Sequence, residues 1–202
     1  MGTDVSVLVL HGPDMTAWFE AVARLRCEVF RAFPYLYDGD IAYEMRYLPV
    51  YARAAGGVLV LALAGDQVVG ASTGLPLSDA EPAFQAPFLH RGIPVETVFY
   101  CGESVLLPSF RGLGLGHRFF DARETHARSL GGMKWISFAS VDRADDDPRR
   151  PPNYRSNHPF WTRRGYIQQP EMKVRLPWRQ VGATQETEQT LTMWLRPLEP
   201  VQ

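Results

Sequence analysis

Between residues 97 and 141 the chain reads as a strand, a glycine-rich loop, a helix and a second strand. Residues 97–107 are mostly β-branched, aromatic or aliphatic, and the segment is the longest strand candidate. Residues 116–131 follow with Phe119, Phe120, Ala127 and Leu130 spaced for the inner face of a helix, and Gly131-Gly132 ends it. Residues 134–141 then return as an apolar strand. Two strands joined through a helix run parallel, with a right-handed crossover. The middle of the fold is therefore a sheet with at least one parallel pair.

The flanking segments point to antiparallel neighbours. Val5–Leu10 is a short apolar strand, broken by Gly12-Pro13-Asp14. Trp18, Val22, Leu25, Val29 and Phe33 recur at helical spacing, and Pro34 ends that helix. Residues 34–55 read as a loop with a short helix. Residues 57–64 and 68–75 form a hairpin about Gly65-Asp66. The proline-rich stretch 76–95 has no clean period and reads as irregular, with one helical turn. Residues 157–164 suit a short helix closed by Gly165, residues 166–176 look extended, and 190–195 form a last strand. The expected class is α/β (α+β): a mixed, mostly antiparallel sheet with helices around it, in a single domain over residues 1–202.

Composition removes several alternatives. With 46% apolar residues in 202 there is ample material for a core, so disorder is excluded. The net charge of −1 gives no basic surplus for general nucleic-acid binding. No apolar run approaches the ~18 residues of a membrane span. Cys27 and Cys101 are too few for a disulfide framework or a zinc site, and no metal is expected. His117 and His126 lie on one helix without metal-ligand spacing. Asp142, Asp145, Asp146 and Asp147 lack the spacing of a calcium loop. A soluble cytoplasmic protein is expected, alone or as a homodimer, with neither nucleic acid nor membrane as partner.

The chemistry centres on Arg111-Gly112-Leu113-Gly114-Leu115-Gly116. Glycines let the backbone approach a ligand closely and take positive φ. The start of the following helix leaves amide N–H groups free and adds roughly half a positive charge. Together these make a pyrophosphate cradle that needs no basic side chain. The segment ends in Gly116-His117, so it is not a Walker loop, and its spacing fails the dinucleotide G-x-G-x-x-G pattern.

The same residues resemble the R/Q-x-x-G-x-G/A motif of the GNAT superfamily of N-acetyltransferases. Leu107-Pro108-Ser109-Phe110-Arg111 is similar to that family's approach to the loop. Phe160-Trp161-Thr162-Arg163-Arg164-Gly165-Tyr166 is similar to its C-terminal F-Y-x-x-x-G-F segment. The resemblance implies a GNAT fold with a splayed parallel pair, formed here by 97–107 and 134–141, and acetyl-CoA as co-substrate without a metal. It places the pyrophosphate on Arg111, Gly112, Leu113, Gly114, Leu115 and Gly116. It places the pantetheine arm along the strand edge at Val105, Leu106 and Leu107, with an N–H near Leu106 for the oxyanion.

Glu103 interrupts the apolar strand 97–107, so its carboxylate must be paired, protonated or turned to a cleft. Gly102 beside it suggests a bulge that re-aims it. Two readings follow: a structural ion pair with an arginine, or the general base that several GNAT enzymes carry on this strand. The family's tyrosine, which protonates the leaving thiolate, is replaced by Trp161, whose indole N–H holds its proton near neutral pH. Tyr154 or water remains to supply that proton. Phe33, Tyr35, Tyr37 and Tyr43, interleaved with Asp38, Asp40 and Glu44, suit either core or a site for a cationic, partly apolar amine of a small molecule or peptide. The alternative function is a non-catalytic CoA-binding sensor or scaffold. Hydrolysis through Ser104 is disfavoured, because Leu106 stands where a nucleophile elbow requires glycine.

Overall fold

A computed structural model describes residues 4–198. Eight strands form one sheet: β1 (Val5–Leu10), β2 (Val58–Ala64), β3 (Gln67–Pro76), β4 (Val98–Tyr100), β5 (Ser104–Leu106), β6 (Trp135–Val141), β7 (Ile167–Arg179) and β8 (Glu186–Pro197). Their order is β1-β2-β3-β4-β6-β8-β7, and β5 lies beside β3 in continuation of β4. Every pairing is antiparallel except β4 with β6, where Val98, Phe99 and Tyr100 face Trp135, Ile136 and Ser137. The helices are α1 (Phe19–Phe30), α2 (Ile41–Tyr47), α3 (Pro49–Arg53), α4 (Pro82–His90), α5 (Leu115–Ser129) and α6 (His158–Arg163).

The side-chain alternation of β2 divides the core into two faces. Val58, Val60 and Ala62 pack with Phe119 and Phe120 of α5. Leu59 and Leu61 pack with Phe19, Val22 and Leu25 of α1. Both faces are covered, so β2 reads as an unbroken apolar run. A third cluster joins Phe84 and Phe88 of α4 to Tyr100, Val141, Met172 and Leu191.

Four expectations are corrected. The continuous strand over 97–107 breaks at Cys101–Glu103 into β4 and β5. The stretch 76–95 contains the nine-residue helix α4, which buries Phe84, Pro87 and Phe88. Apart from Gln85 and His90 its residues are apolar, so it leaves no helical period, and tertiary burial offsets the hydrogen bond lost at Pro87. The helix expected to reach Pro34 stops at Phe30, and residues Gly12–Trp18 wind as a 3₁₀ turn before it. The 34–55 loop holds two helices: α2, capped by the Asp40 carboxylate, which accepts from the Tyr43 N–H at 2.9 Å, and α3, entered at Pro49.

The break in the strand has a packing cause. The Gly102 N–H donates to the Thr73 carbonyl, and the Thr73 N–H donates to the Glu103 carbonyl, both at 3.2 Å. Two residues of the break thus bracket one residue of β3, the geometry of a bulge. Gly102 lies directly against the hydroxyl of buried Tyr51, and a Cβ there would overlap it and come to 2.8 Å from Thr73 Oγ1. We expect Gly102→Ala to lower unfolding stability by about 1–3 kcal/mol, the usual cost of overpacking, measurable by urea denaturation.

Candidate active site

The bulge frees β5 from β6. The Cys101 N–H still donates to Ser137 O at 2.8 Å, the last link between the two parallel segments. Beyond it β5 pairs with β3 alone, and β6 pairs with β8 alone through Phe138–Val141. The Leu107 N–H points to β3, donating to Val69 O at 2.9 Å. Alternation therefore turns the N–H and C=O of Leu106 toward the gap. The Leu106 carbonyl already accepts from Arg111 Nε at 3.3 Å. Val105, by the same alternation, faces β3, and its side chain is buried in the core below.

The loop after β5 is as open as the sequence implied. Gly112 (φ 80°) and Gly114 (φ 77°) lie in the left-handed region, with nothing within 4 Å of where a Cβ would stand. Gly114 is the residue that enters α5, and no side chain caps that end. Leu115 is buried, which anchors the first turn. Gly116 differs from its two neighbours: it is helical, and a Cβ there would meet only Phe160 at 3.6 Å. Leu113 is exposed beside the loop. The C-terminal motif closes over this helix, with the buried Tyr166 hydroxyl donating to Glu124 Oε1 at 3.1 Å and Arg164 donating to the same oxygen at 3.0 Å.

At the break between β4 and β5 the structure assembles a buried charge group. Glu103 is 8% exposed, Arg26 of α1 8%, and Glu44 of α2 is fully buried. Arg26 Nε donates to Glu44 Oε2 at 2.6 Å, while Arg26 Nη1 meets Glu103 Oε2. The guanidinium lies between the rings of Phe30 and Tyr47, 5.1 and 5.0 Å from their centroids. Burial works to lower the Arg26 pKa, but the charges of Glu103 and Glu44 outweigh it and hold the guanidinium well above its ordinary value. Of the two sequence readings of Glu103, the ion pair with an arginine is the one the geometry shows. One oxygen is ion-paired, and the other, Oε1, is buried without a hydrogen-bond partner.

Arg26 was not read from the sequence as part of the site, and Glu44 was read only as one of the acids of a possible acceptor site, not as the partner of a buried arginine. The available signal was position: Arg26 falls on the apolar stripe of α1 defined by Phe19, Val22 and Phe30. An arginine there requires a buried acid. Arg123 was missed for the same reason on α5. It is 2% exposed, and its Nη1 donates to the carbonyls of Glu103 at 3.1 Å and Thr73 at 3.3 Å, clamping the bulge from below.

Glu103 opens on a cavity of about 600 Å³ between α1, α2 and the β7–β8 hairpin. Of the expected acceptor residues, Tyr35, Tyr37, Asp38, Asp40 and Tyr43 line it. Glu44 lies behind it on Arg26, and Phe33 packs edge-on against Tyr154 at 4.7 Å instead. Trp178 adds a wall that only the hairpin could supply. Burial, reinforced by the charge of Glu103, pushes the Tyr35 hydroxyl up to about 12.

Tyr154 is not among the lining residues of this cavity. Its ring sits under the Arg150 guanidinium at 5.5 Å, and burial raises its pKa against the pull of that charge. Trp161 on α6 packs with Phe138, His158 and Trp194 at 4.9–5.5 Å. Burial pushes the Cys101 thiol up to about 11, so it is no nucleophile. The Ser104 hydroxyl shares a 3.0 Å hydrogen bond with Ser72, a pairing that supplies no base. Among the described residues no group of three or more His, Cys, Asp or Glu could hold a metal ion, and no helix is long and apolar enough to cross a membrane.

Comparison with known proteins gives the same architecture. No family model and no curated protein matches the sequence. Solved structures do match over nearly the whole chain. An N-acetyltransferase from Staphylococcus aureus Mu50 aligns with TM-score 0.61 and 10% identity over 97% of this chain and 99% of that one. A ribosomal-protein-alanine N-acetyltransferase from Brucella melitensis aligns with TM-score 0.60 and 14% identity over 95% and 99%. A protein from Salmonella typhimurium described as an acetyltransferase, solved with its cofactor acetyl-CoA, aligns with TM-score 0.59 and 13% identity over 96% and 94%. The fold is that of the GNAT acetyltransferases.

The site yields a stability test. Arg26→Met would leave two carboxylates facing each other without their shared cation. We expect a loss of about 3–5 kcal/mol, as for one partner removed from a buried ion pair, read as a lowered midpoint in thermal or urea unfolding.

Proposed function

We propose that the chain transfers the acetyl group of acetyl-CoA to an amine of a small molecule or peptide in the cytoplasm. The observation that carries the reading is the junction of two features at the bulge. On one side lie the open β5 edge and the bare glycine loop, on the other a cavity with a carboxylate oxygen at its base.

The residues present fit coenzyme A. The open space at Gly112 and Gly114 supports a pyrophosphate held by the amides of 111–116, at the positive end of α5. The outward N–H and C=O of Leu106, with Leu107 beside it, support binding of the pantetheine arm. When bound, acetyl-CoA supplies the thioester carbonyl that an amine attacks.

The chain's own groups do the rest. An amine arrives mostly as ammonium and must lose a proton before its nitrogen can form the C–N bond. Glu103 lines the cavity and its Oε1 has no hydrogen-bond partner, so it is the group to accept that proton, directly or through a water. Arg26 holds the other oxygen and fixes the carboxylate's direction. The N–H of Leu106 is the donor for charge developing on the carbonyl oxygen. As the C–S bond breaks, the nitrogen gives up its second proton, and that proton, relayed through water, converts the departing thiolate to the thiol. Tyr154 stands outside the lining, and Trp161 can offer only a hydrogen bond.

A non-catalytic CoA-binding module is the second reading, and the ion pair of Glu103 with Arg26 is the observation that favours it. The two separate in a thioester-consumption screen over free amino acids, polyamines, aminoglycosides and peptides. Acetyl-CoA turnover with any of them supports transfer. Tight CoA binding without turnover supports the module.

Two variants test the parts. Gly114→Val would force a branched residue into positive φ and fill the phosphate position. CoA affinity should fall by at least ~2 kcal/mol by calorimetry, and unchanged affinity in a folded variant would overturn the loop assignment. Glu103→Gln should slow acetyl transfer by ~10²–10⁴ while CoA affinity is nearly retained. A near-native rate would return Glu103 to a structural role.

A further inference from the structure

The large cavity is graded in both charge and polarity. Five carboxylates line it: Asp38, Asp40, Glu81, Glu103 and Glu186. Two cations, Arg26 and Arg179, oppose them. Most of these charges are already engaged. Asp38 pairs with Arg179 at 3.1 Å and Arg31 at 2.5 Å, Asp40 caps α2, and Arg26 is shared by Glu44 and Glu103. What is left over is specific: Glu103 Oε1 at the buried end, and Glu81 and Glu186 at the exposed end, which form no salt bridge among the described residues. Glu81 comes from the residue before α4 and Glu186 from the first residue of β8. Both line the cavity together with the half-exposed Tyr43, whose phenol pKa is raised by burial and then by the charges of Glu81, Glu44 and Glu186.

Between these two ends the walls are aromatic: Tyr35, Tyr37, Tyr47, Phe84 and Trp178. Such faces favour an apolar chain and tolerate a passing cation. At about 600 Å³ the space is within the ordinary range for a small-molecule site and far exceeds a lone amino group.

We propose that the acceptor is a small dicationic amine, a primary amine seated at Glu103 Oε1 whose apolar spacer runs along the aromatic walls and carries a second positive charge to Glu81 and Glu186. The assignment deepens the acyl-transfer reading and rests on it only for the fate of the buried amine. The buried oxygen supplies the independent sign of a ligand: a carboxylate oxygen without a hydrogen-bond partner inside the protein is costly unless a donor meets it. An ammonium group is the donor that also matches the charge.

The test compares α,ω-diaminoalkanes with n-alkylamines of matching chain length by calorimetry on the full chain, without acetyl-CoA. Diamines of the fitting length should bind at least ~tenfold more tightly than their monoamine counterparts. In the double variant Glu81→Gln, Glu186→Gln the two series should converge. Equal affinity for both series overturns the proposal. So does a diamine preference that survives the double variant, or a peptide amine without a second charge that binds more tightly than any diamine. Thioester consumption is then measured separately. Diamine selectivity without turnover sinks acyl transfer and leaves the dicationic site standing, whereas equal turnover of both series sinks the dicationic site and leaves acyl transfer standing.

Discussion

The bulge at Cys101–Glu103 is the constraint on which the rest of the site depends. A straight strand over this stretch would stay paired to β6 along its whole length. The missing side chain of Gly102 lets Tyr51 press against the backbone, Thr73 accepts from the Gly102 N–H and donates to the Glu103 carbonyl, and Arg123 donates to the carbonyls of Thr73 and Glu103. One local irregularity therefore opens the gap between β5 and β6 and turns a side chain from a core strand toward a cavity.

Holding a carboxylate at that point has an energetic cost, and the surrounding structure offsets it with charge rather than solvent. Arg26 neutralises one of the two acids it touches, the rings of Phe30 and Tyr47 cover its faces, and the hydroxyls of Tyr47 and Tyr51 are hydrogen-bonded at 2.9 Å beside them. Each carboxylate gives one oxygen to Arg26 and keeps the other, Glu44 Oε1 and Glu103 Oε1, without a hydrogen-bond partner. Buried ion pairs of this kind contribute little net stability but make each member hard to lose. The arrangement fixes the direction of the Glu103 carboxylate, the preorganisation that the proposed proton transfer requires. On the opposite side of the gap the glycine loop and the uncapped start of α5 present backbone amides and the helix dipole, with Arg111 beside them.

Much of this was legible in the residues. The unit over 97–141 required the parallel pair, and β4 with β6 supplies it. Gly112 and Gly114 take the positive φ that a close-approach loop needs. Glu103 stood out as a charge within an apolar strand, and Gly102 as the mark of a bulge. The failures have local causes. Helix α4 is apolar apart from Gln85 and His90 and carries two prolines, so periodicity could not reveal it. The start of β8 at Glu186 carries polar residues before its apolar core, so sequence pattern shortened a strand that β7 pairs from Glu186 to Leu195.

The sequence by itself determined the fold class, the open glycine loop and the isolated carboxylate, because each depends on neighbours in the chain: glycine conformations, strand–helix–strand order, one charge among apolar residues. Only the tertiary structure decided what that carboxylate faces. Arg26 arrives from α1, Glu44 from α2, Glu81 from the start of α4, and Trp178 and Glu186 from the β7–β8 hairpin. These segments are far apart in the chain, and their charges act on one another only after the sheet brings them within a few ångströms. Coulomb interaction and desolvation depend on distance through space, so the pairing of Glu103, the free oxygen it keeps and the acidic mouth of its cavity are properties of the folded molecule alone.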